Sequence, residues 1–205
     1  VLHVMAKHPN ICNYIHLPVQ SGSNAVLKAM NRQHTREEYM ELIDDIKQIV
    51  PGCGISQDII AGFPNETEAD HQDTLSLMEY VKYDFGFMFM YSERPGTPAA
   101  KKLKDNIPQE VKKRRLQEIV ALQQIHGRYR NEQFIGKTVE VLIEKESKKS
   151  DEQWSGRTQQ NTVVVFPKRH FAVGDFVHVK IESCTSATLI GSATDFGPTQ
   201  SYHHG

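Results

Sequence analysis

The sequence predicts an α/β unit of three βα repeats followed by a small antiparallel β-barrel. Three apolar strand candidates each run into a polar loop bearing Gly or Pro, with long helical segments between them. Their repeat of roughly 30 to 40 residues is the size of a βα unit in a parallel sheet or barrel. After Gly136 the period changes. Five short strand candidates follow within about 60 residues, the pattern of a small five-stranded barrel of the oligonucleotide-binding kind. The 205 residues suffice for two small domains. The expected division is 1–135 for the α/β unit with its long connecting helix, 136–197 for the barrel, and 198–205 for a loose tail.

The first strand candidate is Tyr14 to Val19, followed by the polar turn Gln20-Ser21-Gly22-Ser23-Asn24 and a short helix from Ala25 to Met30. Thr35-x-x-Glu38 is a capping box. The helix it opens has an apolar face of Tyr39, Ile43, Ile46 and Val50, and Pro51-Gly52 ends it. The central strand lies in Ser56 to Ala61. Its run Ile59, Ile60, Ala61 suits a parallel strand covered on both faces. Gly62 then frees the backbone and Pro64 stops the strand. Thr67 and Asp70 form a weaker capping box for a helix from Glu68 to Lys82 carrying Leu75, Met78 and Val81. A third strand, Gly86 to Tyr91, enters the loop Ser92 to Pro98. From Pro108, read as the first helical position, a long helix runs to about Phe134. Leu116, Ile119, Leu122 and Ile125 form its expected stripe, and Gly136 closes it. The barrel strands are expected at Val139 to Ile143, Gln153 to Thr158, Thr162 to Phe166, Asp175 to Ser183 and Ala187 to Ala193.

A formal charge of −1 means that any nucleic-acid surface must come from local clustering. The three cysteines, Cys12, Cys53 and Cys184, form no C-x-x-C pair. This argues against a disulfide scaffold and against a metal or iron–sulfur site held by this chain alone, and it fits a reducing cytoplasm. No apolar run has membrane-spanning length and no secretory signal is visible, so a membrane partner is not expected. The chain opens on Val1 and enters a helical pattern at once, as a piece cut from something longer would.

Strand ends in α/β proteins offer backbone groups to small ligands. Gln20-Ser21-Gly22-Ser23 presents amide, hydroxyl and backbone donors suited to a ribose or carboxylate; an ordinary βα turn with capping serines reads the same way. Arg32 is placed to pair with an anion or to serve as a surface charge. Asp58, Glu66 and the strand residue His16 make only a weak acid/base set. Lys101, Lys102, Lys104, Lys112, Lys113, Arg114 and Arg115 form a basic stretch, a solvated face or a phosphate footprint. On the barrel, Lys148, Lys149, Arg157, Lys168 and Arg169 lie near Trp154 and Phe166. Cations interleaved with rings suit unstacked RNA bases, unless the rings are simply barrel core.

His16-Leu17-Pro18-Val19-Gln20-Ser21-Gly22-Ser23 with Met30-Asn31-Arg32 comes first, then Asp58-x-Ile60-x-Gly62-Phe63-Pro64-x-Glu66, then Tyr91-Ser92-x-Arg94-Pro95-Gly96-Thr97-Pro98-Ala99. In order and spacing they resemble the radical-SAM methylthiotransferases. Ser155-Gly156-Arg157-Thr158-x-x-Asn161 and Val164-Val165-Phe166 resemble the family's appended TRAM domain. The resemblance implies the carboxyl-terminal half of a partial TIM-type barrel plus TRAM. It implies S-adenosylmethionine as cofactor and two 4Fe-4S clusters ligated by residues outside this chain, since the family's C-x-x-x-C-x-x-C loop is not in it. The fragment is accordingly expected to be inert alone. Of the family's substrates, N6-isopentenyladenosine at position 37 of tRNA fits best, with the anticodon stem-loop, not DNA, as partner. Threonylcarbamoyl-adenosine in tRNA, a ribosomal protein, or a non-catalytic RNA-binding role are the alternatives. By the same resemblance Gln20, Ser21 and Ser23 would meet the ribose or methionyl end of the cofactor and Arg32 its carboxylate. Ile60, Gly62 and Tyr91 would meet the adenine, with Asp58 beside them. Arg157, Lys168, Arg169, Lys148, Lys149 and Phe166 would touch RNA.

Overall fold

Residues 1–96 and 98–194 are described by the computed structural model; Thr97 of the third loop motif and the expected tail lie outside them. The apolar runs form β1 (Tyr14–His16), β2 (Gly54–Ala61) and β3 (Phe85–Met90), parallel and in the order β1-β2-β3. Ser56 pairs with both His16 and Phe85, and Ile60 with Phe89. The first strand is shorter than expected. Pro18 has no N–H to give the ladder, and the chain rejoins β2 only at the Gln20–Ile59 bridge.

Around the sheet lie α1 (Leu2–Lys7), α2 (Asn24–Ala29), α3 (Arg36–Ile49), α4 (Glu68–Val81), α5 (Pro98–Lys102) and α6 (Gln109–Glu132). Both capping boxes are complete: Thr35 with Glu38, and Thr67 with Asp70 despite its shorter acid. Tyr39, Ile43, Ile46, Ile59, Leu77, Met78, Tyr83 and Ile119 pack one face of the sheet into a single core. The alternation of strand side chains sends Tyr14, His16, Asp58, Ile60, Phe85, Phe87 and Phe89 to the other face. No described element covers that face, and Phe87 and Phe89 are 55% and 52% exposed.

The long helix differs from its expected form. Pro108 is its N-cap, with extended ψ, rather than its first helical residue. Ile119 is buried as expected and Leu116 and Leu122 are packed against the core, but Ile125 is 64% exposed. The buried positions are Lys112, Arg115, Ile119, Gln123, His126, Gly127 and Asn131, a stripe whose polar members find partners across the interface. Gln123 donates to the Tyr83 carbonyl, His126 meets Glu79 of α4, and His71 of α4 meets Glu118.

After Gly136, in the left-handed region at φ 81, come β4 (Thr138–Ser147), β5 (Ser150–Arg157), β6 (Val163–Pro167), β7 (Phe176–Cys184) and β8 (Thr188–Ala193). They close into a barrel in the order β4-β5-β6-β8-β7. It is not wholly antiparallel as expected: β6 and β8 pair in parallel. Direction cannot alternate all the way round a ring of five strands, so closure requires such a pair. Val141, Ile143, Val164, Phe166, Val179, Ile181 and Leu189 fill the interior.

The barrel sits at the amino-terminal ends of the sheet strands. A side chain at Gly54, where β2 begins, would strike the Gln160 carbonyl of the β5–β6 turn. Asn131 at the end of α6 donates to the Thr185 carbonyl at 3.0 Å, and Gly127 lies against that of Ser186. The 24 residues of α6 span about 36 Å, of which the stretch from Lys112 at the strand tips to Asn131 at the barrel takes about 29 Å.

Candidate functional site

At the carboxyl-terminal strand ends the three loops converge on an open cavity of about 480 Å³. Gln20, Arg32, Asp58, Ile60, Tyr91 and Arg94 are among the residues lining it. The first loop is knitted to β2 by the backbone of Gln20 (φ 72), which donates to the Asp58 carbonyl and accepts from Ile60 N–H at 2.8 and 3.0 Å. Asn31, also left-handed at φ 58, turns the chain beyond α2 so that Arg32 reaches the rim. Tyr91 donates its N–H to the Ala61 carbonyl, and its ring meets Phe63 edge-on at 5.1 Å. Burial, then the nearby carboxylates Glu93 and Asp105, push the Tyr91 phenol up, so it stays protonated at neutral pH.

Behind this wall stands the first turn of α6. Lys112, almost wholly buried, reaches Asp105 at 2.5 Å and the Tyr91 carbonyl at 3.5 Å, with its ammonium 5.2 Å from the Tyr91 ring centroid. Its stem packs where a Gly62 side chain would be, and Gly62 holds φ 74. Gly62 N–H donates to Glu66, whose buried carboxylate also accepts from Arg115 at 2.8 Å. Burial pushes the Glu66 carboxyl up, against the pull of these two donors. Asn65 and Asn106 exchange two hydrogen bonds across the same seam.

Of the eight residues proposed for the cofactor, Gln20, Arg32, Asp58, Ile60 and Tyr91 share this cavity. Ser21, Ser23 and Gly62 do not line it. The Ser23 hydroxyl donates to Asp70 at 2.5 Å and caps α2, and Ser21 is buried against Thr74 and accepts from Ser23 N–H. These two serines lock the first loop onto α4, and Gly62 makes room for Lys112.

On the barrel, Phe166 is wholly inside and offers no ring to a base, contrary to expectation. The alternation of β6 dictates this, since Val164 and Phe166 share the inward face. Arg157 binds the carbonyl and side chain of Asn161 and approaches Glu144, bracing the β5–β6 turn. Lys168 pairs with Glu146 at 2.5 Å while lying over the Trp154 ring. Lys148 and Lys149, in the β4–β5 turn, and Arg169 are exposed. Lys112 was read in the sequence only as part of a charge run; nothing local marks it, because Asp105, Tyr91 and Gly62 meet it through the fold.

The model of the Radical SAM superfamily matches residues 1–78, and that of the TRAM domain matches residues 132–194. Residues 1–78 are thus similar to part of the radical SAM superfamily. Among curated relatives, the tRNA-2-methylthio-N(6)-dimethylallyladenosine synthase of Christiangramia forsetii is 69% identical over 191 residues, 93% of this chain and 40% of the relative. That of Flavobacterium psychrophilum is 67% identical over 196 residues, 96% and 41%. The chain thus spans about two fifths of the length of these relatives. A solved structure, coproporphyrinogen III oxidase of Escherichia coli, a radical SAM enzyme, aligns with TM-score 0.49 at 16% identity over 72% of this chain and 41% of that one.

Radical SAM chemistry implies S-adenosylmethionine and iron–sulfur clusters. The cavity suits the first, with a planar wall at Tyr91, an apolar contact at Ile60 and a cation at Arg32 for a carboxylate. A cluster does not fit the residues present. Cys12 is exposed, Cys53 buried and Cys184 half-buried on the barrel. The one grouping of three potential ligand side chains among the described residues, Glu68, His71 and Glu118, is already braced by Arg114 and Arg115. No helix among the described residues is long and apolar enough to cross a membrane.

Proposed function

We propose that the chain is the carboxyl-terminal part of a tRNA methylthiotransferase acting on C2 of N6-isopentenyladenosine at position 37, in the cytoplasm. The supporting observation is the convergence of Gln20, Ile60 and Tyr91 on one cavity, in a chain about two-thirds identical to enzymes named for that product. S-adenosylmethionine, when bound, supplies the radical and the methyl group. Gln20 and Arg32 hold its polar end, and Ile60, Asp58 and Tyr91 flank its adenine. Two 4Fe-4S clusters are held by residues outside this chain.

The TRAM barrel, taken to begin at Gly136, grips the anticodon stem-loop. Lys148 and Lys149 lead this contact, and Arg169 contributes to it. Arg157 and Lys168 contribute less, since Glu144 and Glu146 already draw on their charge. Calorimetry with S-adenosylmethionine and gel shift with an anticodon stem-loop RNA test the two halves. Binding of each by the chain, with no methylthiolated nucleoside formed by the chain alone, is the expected result. Absence of cofactor binding, or turnover by this polypeptide unaided, overturns the assignment.

A further inference from the structure

Asp70 stands where a capping box ordinarily carries Glu or Gln, and the shorter acid serves two helices at once. Its Oδ2 accepts from the Thr67 N–H and hydroxyl at 2.8 and 2.7 Å, which starts α4. Its Oδ1 accepts at 2.5 Å from the hydroxyl of Ser23, the N-cap of α2. Burial alone would raise this carboxyl, but the bonds from Ser23 and Thr67 outweigh it and hold the group below its usual range, ionised at neutral pH. One carboxylate thus ties the start of α4, just beyond the second loop, to the start of α2, just beyond the first.

The joint has no slack. Gly22 lies so close to α4 that a side chain on it would strike the Asp73 carbonyl and Thr74 Cα. Its N–H donates to Thr74 Oγ1 at 2.9 Å, and Arg36 donates to the carbonyls of both Gly22 and Asp73. A glutamate at position 70 would keep Thr67 in the ordinary box but drive its second oxygen into Ser23. With Gly22 pinned, the displacement falls on α2, six residues long. That helix is a lever of about 9 Å. Arg32, whose N–H donates to the Leu27 carbonyl at 2.9 Å, rides on its far end. A small turn at Ser23 is therefore felt at the rim of the cavity.

We propose that Asp70 is a positioning residue: through Ser23 and α2 it aims Arg32 at the carboxylate of S-adenosylmethionine. Asp70 is not among the residues lining the cavity, so it acts on the ligand only through Arg32. The inference rests on the cofactor assignment made above and adds to it the group that sets the place of the cation.

The test is Asp70→Glu, titrated by calorimetry with S-adenosylmethionine and with its decarboxylated analogue. The melting temperature should stay within about 2 °C of the wild type, because the α4 box survives. Affinity for S-adenosylmethionine should fall about tenfold, the worth of one charge-assisted hydrogen bond, with no such loss for the decarboxylated analogue. Asp70→Glu should add nothing to the loss in Arg32→Ala, as expected of two residues acting on one contact. Ser23→Ala, which cuts the same link from the other side, should give the same selective loss. In the absence of ligand, the amide resonances of Val26 and Arg32 should shift in Asp70→Glu. Unchanged affinity, an equal loss for both ligands, a loss that adds to that of Arg32→Ala, or unmoved amide resonances overturns the proposal. A wild-type chain that binds no S-adenosylmethionine refutes the cofactor assignment instead, and the ligand-free shifts then judge the hold of Asp70 on Arg32 by themselves.

Discussion

Lys112→Met isolates the buried charge behind the cavity, because methionine keeps most of the stem over Gly62 and removes only the ammonium. The wild-type side chain is 3% exposed, and its ion-pair partner Asp105 is 30% exposed. Removing one member of a fully buried pair costs about 3–5 kcal/mol, largely for the charge left behind. Asp105 can rehydrate, which lowers the expected loss to about 2 kcal/mol, or a fall in Tm of about 4–8 °C for a chain of this size. The second effect is local. Tyr91 loses a donor at its carbonyl and a cation beneath its ring, so the wall loosens and S-adenosylmethionine affinity should drop about tenfold, or 1.4 kcal/mol. Circular dichroism melts and calorimetry read the two quantities, and Lys112→Arg should restore part of each. A Lys112→Met protein with unchanged Tm and unchanged affinity would refute the idea that α6 sets the strand tips.

Arg32→Ala should weaken S-adenosylmethionine binding while leaving the melting temperature alone, since Arg32 is exposed at the rim; calorimetry beside a thermal melt separates the two. Gly127→Ala, ordinarily worth up to about 1 kcal/mol of helix stability, should destabilise here, because the new methyl meets the Ser186 carbonyl; denaturant titration gives the sign. Acid should unfold the protein through the α4–α6 clasp. Hydrogen bonds from Arg114 hold the Glu68 carboxyl down to about 2, and the His126 bond lowers Glu79. Their folded-state values lie below the unfolded ones, so the stability they give is present above the ordinary carboxylate range and is lost as pH falls through it toward 2. Glu66, pushed up by burial, works in the opposite sense and softens the loss. Urea midpoints at pH 6 and pH 3 check the direction, and an unchanged midpoint refutes it. Lys148→Ala with Lys149→Ala should flatten the dependence of log K for stem-loop RNA on log salt by up to about two contacts.

The order of strands and helices was legible because apolar runs end at Gly or Pro and capping residues open the helices. Thr35 and Thr67 mark their starts from local chemistry alone. What escaped notice depended on distant partners. Ser21 and Ser23 have the composition of a ligand loop, yet Thr74 and Asp70 engage them from α4. The buried stripe of α6 escaped a hydrophobicity reading because Lys112, Arg115, Gln123, His126 and Asn131 fill it, each with a partner outside the helix, although Arg115 Nε, Gln123 Oε1 and His126 Nδ1 are buried without one. The cavity fell in between: strand-end position located Gln20, Ile60 and Tyr91, while the uncovered phenylalanine row needed the register of β2 against β3.

With one end wedged under Gly62 and Tyr91 and the other pinned to Thr185, α6 works as a strut of set length and set angle. Each residue added to it would turn the barrel by about 100° and push it out by about 1.5 Å. A single insertion near Gln117 would therefore swing the lysine-bearing turns off any RNA seated at the strand tips, whereas a seven-residue insertion would nearly restore the bearing at a longer reach. An RNA held at both places must bridge the length of that strut, so a bare nucleoside can engage only one of them.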